Sequence, residues 1–298
     1  MATIPAKPVS DQLQEVKDYI SLLKPRVMSL VVFTGLCGML VAPGEIHPLI
    51  AFISILCITL GSGASGAVNM WYERDIDGKM KRTQNRPLPK GRVNPKSALD
   101  FAGVLAFFSV FVMAFAVNIL SAFLLLSAIL FYVFIYTIWL KPRTPQNIVI
   151  GGAAGAFPPM IGWTSVAGDI TIIPVVMFLI TFLWTPPHFW ALAIYKNTDY
   201  QNAGIPMMPA VFGVSETKKQ MLLYTIALFV VTLVPFFVGF SGYIYLAVAV
   251  VLGLKFLHHA YKVFKNPEEK NCKAMFLFSI LYLFVLFLGL VIDKIIGF

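Results

Sequence analysis

Asn69, Glu73 and Asp77 stand four residues apart in the stretch NMWYERDIDGKMKRTQNRPLPKGR, which runs from Asn69 to Arg92. If the apolar helix that precedes them continues, an amide and two carboxylates line one helical face. Hard oxygens in that arrangement suit Mg²⁺, which takes one or two protein carboxylates and fills its other positions with water and phosphate oxygens. Lys79, Lys81, Arg82 and Arg86 follow at once, with Pro87 and Pro89 stiffening the exit. Guanidinium forks beside a carboxylate-held cation are what a diphosphate leaving group needs. Asp75 falls off this face and is expected to pair with Lys79. The bland alternative is a solvated loop of internal salt bridges.

Three features favour chemistry over that alternative. Gly61, Gly63, Ala64, Ser65, Gly66 and Ala67 leave the end of the preceding helix almost bare, so a helix or ligand can approach closely. Asn69 puts a polar amide at the edge of hydrocarbon. Lys24 and Arg26, on either side of Pro25, add positive charge on the same side of the membrane.

A second polar cluster, LWTPPHFWALAIYKNTDYQNAGIPMMP, runs from Leu183 to Pro209. Pro186 and Pro187 are expected to kink their helix and free carbonyls. His188 follows inside the apolar run, as either a hydrogen-bonded packing residue or a ligand and proton handler. Asp199 is the only acid, beside Lys196, Tyr200 and Asn202, too few for an all-carboxylate site.

The elements that position these clusters are membrane helices. The chain of 298 residues is 58% hydrophobic and 12% charged, with 26 Phe. Its apolar runs predict nine spans, at about 26–43, 48–70, 99–117, 120–140, 147–166, 171–194, 220–239, 242–261 and 273–293. Of the 23 Lys and Arg, all but Lys294 fall with the N-terminus and the loops after even-numbered spans. The positive-inside rule then places the N-terminus in the cytoplasm and the C-terminus outside. That bias absorbs the net charge of +9, leaving none to assign to nucleic acid. The expected organisation is a cytoplasmic tail over 1–25 and one polytopic domain over 26–298, with functional loops at about 69–96 and 195–210. Cys37, Cys57 and Cys272 lie scattered without metal-type spacing and read as packing residues. No Arg- and Ser-rich presequence is evident, which favours a bacterial inner membrane.

The ladder Asn69-x-x-x-Glu73-x-x-x-Asp77, followed by KRTQNRPLPKG, resembles the first acidic motif of the UbiA superfamily of intramembrane prenyltransferases. The likeness extends from LLKPRV through WLKPRTPQNIVIGGAAGAFPPMIGW to PPHFWALAIYKNTDYQNAGIPMMP. Most members carry a second motif with two Asp four residues apart; aligned on AGI, Lys196 and Tyr200 take those positions here and Asp199 lies beside them. That departure, the PPH segment and Glu73 in place of Asp are similar to the haem-modifying branch.

The resemblance implies an all-α membrane protein, a bundle around a central cavity with polar caps over its cytoplasmic mouth. It implies Mg²⁺ on Asn69, Glu73 and Asp77, with one ion or two left open. Farnesyl diphosphate would place its diphosphate among Lys24, Arg26, Lys81, Arg82, Arg86, Lys141, Arg143, Lys196, Asp199 and Tyr200. Haem B is the implied acceptor, alkylated on its C2 vinyl group with water completing haem O. Asn69, Glu73, Asp77, Arg82, Arg86 and His188 form the implied catalytic set. His188 would hold the iron, hold the propionates or orient the water, and these roles stay open. Tyr136, Trp184 and Trp190 are candidate aromatic faces or ordinary packing. Beyond the lipid bilayer, a haem A synthase or terminal oxidase assembly is an implied partner. The competing readings are a quinone-precursor acceptor, a membrane transporter and a haem-binding assembly factor without catalysis.

Overall fold

Prolines, glycines and capping side chains decide where the helices begin and end. The computed structural model describes residues 9–297, which form helices and connecting turns with no strand among them. In chain order the helices are α1 (Val9–Leu22), α2 (Pro25–Val41), α3 (Pro48–Tyr72), α4 (Arg74–Asp77), α5 (Pro95–Ala116), α6 (Ile119–Leu130), α7 (Asn147–Ala167), α8 (Ile172–Tyr195), α9 (Asn197–Asn202), α10 (Met208–Val211), α11 (Gly213–Phe237), α12 (Tyr243–Lys265) and α13 (Glu269–Ile296). Proline starts α2, α3 and α5, where a missing amide hydrogen costs nothing. His47, Asn94 and Asn118 cap α3, α5 and α6 through their side chains.

Each of the nine predicted spans is occupied by helix. Seven helices are long and apolar enough to cross a membrane, and an eighth arises if α1 and α2, bent by 53°, are taken as one broken span. The helix outside this set, α7, is rich in Gly, Ala and Pro. Its small residues are buried against α2 and α8, so helix contacts replace the large apolar side chains that lipid would demand.

α8 carries Pro186 and Pro187 inside it and runs unbroken from Ile172 to Tyr195. The fourth predicted span changes character halfway, α6 passing into a π-helix over Phe131–Leu140. Wide turns of this kind are rare and concentrate at functional sites.

Residues 1–8 lie outside the described residues, but α1 is a packed element. Its Tyr19 and Leu22 join Met70, Leu88, Val93 and Phe101 in one apolar cluster, while Leu13, Val16 and Ile20 on its other face are exposed, as an interfacial helix requires. The bare stretch of α3 receives the bend between α1 and α2: a methyl group on Gly63 would stand 3.1 Å from the Leu23 side chain, and one on Gly66 3.5 Å from that of Lys24.

Candidate functional site

The acid ladder survives a break in its helix. α3 stops at Tyr72 and Glu73 leaves the helical region, yet the Glu73 amide donates to the Asn69 carbonyl at 3.0 Å and the Asp77 amide to the Glu73 carbonyl at 2.7 Å. This i to i+4 pattern keeps the three residues in register. All three are buried, at 2%, 5% and 3% exposure, whereas the Asp75 side chain is 86% exposed. Among the described residues the ion-pair partner of Asp75 is Arg74, at 4.0 Å, and not Lys79, which corrects that expectation.

Each member of the ladder faces a cation from a different part of the chain. Lys24, at the α1–α2 bend with φ +54°, donates to Asn69 Oδ1 at 2.5 Å. Lys141, just past the π-helix, puts Nζ 2.5 Å from Glu73 Oε1. Arg86 donates from Nη1 to Asp77 Oδ2 at 2.6 Å. The Asn69 amide nitrogen donates to Thr137 Oγ1 at 3.2 Å, which orients its oxygen towards Lys24. Thr137 carried no sequence signal, being one hydroxyl in an apolar run.

The electrostatics follow from burial and mutual charge. Burial raises the Glu73 carboxyl, but the Lys141 and Lys24 charges outweigh it and hold the group below the ordinary carboxylate range. Burial, and after it the Arg86 charge, lowers Lys24 to about 7. A phosphate anion beside Lys24 would restore its charge.

The donor set fits a hard divalent cation. Glu73 is buried, and its Oε1 is met by the Lys141 ammonium at 2.5 Å. No group of three or more His, Cys, Asp or Glu occurs among the described residues. The protein would therefore offer two carboxylates and the Asn69 oxygen, leaving other positions to water and phosphate, as Mg²⁺ prefers.

The two polar clusters meet. Met80 from the first packs with Tyr200, Ile205 and Met207 from the second in one apolar cluster. A cleft of about 460 Å³ opens beside it, lined by Lys81, Arg82, Tyr195, Lys196, Thr198 and Asp199. Asn147, fully buried at the start of α7, ties the loops together by donating to the Thr144 carbonyl at 2.6 Å and the Pro206 carbonyl at 3.4 Å.

Other candidates stand apart. Arg26 is exposed on the first turn of α2. Arg143 is exposed and donates to the Ile138 and Trp139 carbonyls at 3.0 and 3.2 Å, capping the π-helix. If the diphosphate expected from the sequence binds here, Lys141→Met should lower kcat/KM for it roughly 30-fold, while Arg143→Gln stays within about 2-fold. Steady-state kinetics on the two purified variants checks this, and equal effects would contradict it.

His188 is sandwiched between Trp184, at 4.2 Å between centroids, and Phe276, at 4.5 Å. Its Nδ1 meets Ser279 Oγ at 2.6 Å, while Trp184 Nε1 donates to the Ser279 carbonyl at 2.8 Å. Ser279 of α13, unnoticed in the sequence, thus fixes the ring and leaves Nε2 for another partner. Trp190 is buried against Tyr224, and Tyr136 lies against Gly151, where a methyl group would come within 2.2 Å of its ring.

The pattern of the UbiA prenyltransferase family matches residues 31–288. The chain is 54% identical over 285 residues to the protoheme IX farnesyltransferase of Parvibaculum lavamentivorans, covering 94% of this chain and 90% of that one. In fold it is similar to a structure described for digeranylgeranylglyceryl phosphate synthase, with TM-score 0.80, 17% identity and coverage of 95% and 99%. It is also similar to a UbiA homolog from Archaeoglobus fulgidus bound to DMAPP and Mg²⁺, with TM-score 0.64, 16% identity and coverage of 91% and 99%.

Proposed function

The chain belongs to the UbiA prenyltransferase family, and on that premise we propose that it farnesylates haem B to haem O in the bacterial inner membrane. One observation carries the reading: a buried acid ladder faced by three cations, in a chain 54% identical to a protoheme IX farnesyltransferase across nearly its whole length. The charged clusters would face the cytoplasm and the C-terminus the outside.

In the proposed reaction the bond between farnesyl C1 and the diphosphate oxygen breaks, and the oxygen keeps the electron pair. The C2 vinyl group of haem B attacks C1, and water adds to the resulting cation beside the porphyrin with loss of a proton. Bound at Asn69, Glu73 and Asp77, Mg²⁺ would supply charge neutralisation for the departing diphosphate. Arg86, Lys141 and Lys24 stand within reach of phosphate oxygens beside that site, and Arg82, Lys81 and Lys196 line the adjoining cleft. Donors preset around developing negative charge stabilise the transition state more than the ground state. Apolar helices exclude water from the allylic cation until bond formation. His188 Nε2, on a ring held by Ser279, is assigned to the haem side, on its iron, its propionates or the incoming water.

Mass analysis of haem from cells expressing the protein tests this. Haem B should gain a farnesyl group and the elements of water with wild type and remain unmodified with Asp77→Asn. Unchanged haem with wild type, or prenylation of an aromatic acid in its place, would overturn the acceptor assignment.

A further inference from the structure

The loop that carries Arg82 and Arg86 is held from outside the site. Arg92 forks onto Asp18 of α1, with Nε 2.9 Å from Oδ2 and Nη2 3.1 Å from Oδ1. Nε also reaches Oδ1 at 3.2 Å, and Gln14 donates to the same oxygen at 3.3 Å. Asp18 is 4% exposed while the Arg92 side chain is 39% exposed, so a buried carboxylate is met by a guanidinium at the water's edge, and the two-pronged geometry makes the contact an orienting one.

From Arg92 a run of short turns leads back to the ladder. The same guanidinium donates from Nη2 to the Asn85 carbonyl at 3.3 Å. The Arg92 amide donates to the Pro87 carbonyl at 2.9 Å, that of Lys90 to Arg86 at 3.2 Å, and that of Arg86 to Thr83 at 2.9 Å. The Thr83 hydroxyl donates to the Asp77 carbonyl at 2.9 Å. On the other side, Asp18 lies six residues before Lys24, whose ammonium meets Asn69. The ion pair therefore ties the loop of Arg86 to α1, and the chain itself carries α1 on into Lys24.

We infer that Asp18 and Arg92 are a positioning pair through which α1 sets Arg86 and Lys24 against the ladder, and so sets affinity for the prenyl diphosphate. Neither residue touches the ladder itself. This rests on the proposed function for its substrate, but not for its conformational consequence. Loosening the clamp leaves Glu73, Asp77 and the haem side intact and costs order in the loop.

Two readouts in the full-length protein in detergent test it. In Asp18→Asn and, separately, Arg92→Gln, hydrogen exchange of peptides covering residues 83–92 should quicken roughly 10-fold. KM for farnesyl diphosphate should rise about 10-fold with kcat within about 2-fold and KM for haem B unchanged. The exchange pair Asp18→Arg with Arg92→Asp should bring both readouts back towards wild type. Unchanged exchange and KM in either folded variant would overturn the inference. A fall of kcat together with melting temperature, with no selective rise of KM for farnesyl diphosphate and no repair by the exchange pair, would also overturn it, since that is the mark of general destabilisation. If wild type fails to turn over farnesyl diphosphate, the functional reading falls and hydrogen exchange alone decides the clamp.

Discussion

Asp77→Asn is expected to lower the rate of prenyl transfer roughly 10³-fold. The carboxylate is buried and 2.6 Å from Arg86, and its own backbone carbonyl takes the Thr83 hydroxyl. Asparagine keeps the shape and the backbone contact but removes the negative charge, so Arg86 loses its counterion and the proposed divalent cation would lose one of its two carboxylates. Breaking a partly buried pair also destabilises the fold. The rate is therefore to be measured on protein shown to be folded by its melting curve. Asp75→Asn, on an exposed side chain of the same short helix, should leave the rate within about 2-fold of wild type. A wild-type rate in Asp77→Asn would remove the ladder from the mechanism.

The second large effect lies in the bundle, where α2 and α7 cross at glycines. A methyl group on Gly162 would stand 1.9 Å from the Gly35 carbonyl oxygen, and one on Gly38 2.0 Å from that of Pro159. Both obstacles are backbone, so no side chain can rotate aside and the helices must separate. Gly162→Ala is expected to cost about 3 kcal/mol or more, seen as a melting temperature lower by roughly 10 °C in detergent. Gly155→Ala on the same helix meets nothing within 4 Å and should leave the melting temperature within about 2 °C. Equal shifts in the two variants would mean that close helix approach does not limit stability here.

Much of this architecture was legible in the amino-acid order. Long apolar runs separated by prolines, glycines and charges locate the membrane helices, because hydrocarbon admits only segments that satisfy their own backbone hydrogen bonds. The ladder was legible for a local reason: four-residue spacing aligns side chains as long as i to i+4 backbone bonds persist, and they persist across the break at Glu73. The small residues of α3 were legible as a place of close approach, though not what approaches.

What faces the ladder was decided by tertiary structure. Lys24 lies 45 residues from Asn69, and Lys141 comes from beyond a π-helix that periodicity at 3.6 residues does not anticipate. Lys141 and Arg143 look equivalent in sequence, yet one meets a buried carboxylate and the other caps carbonyls. Likewise, the sequence shows His188 in an apolar run, but only the packing of α13 supplies Ser279 to hold its ring. The sequence by itself determined a helical membrane protein with a ladder of oxygen-bearing side chains at the end of one helix, since spacing and hydropathy are local properties. Which cations meet that ladder, and how α1 holds them, depend on contacts between residues far apart in the chain, which only packing brings together.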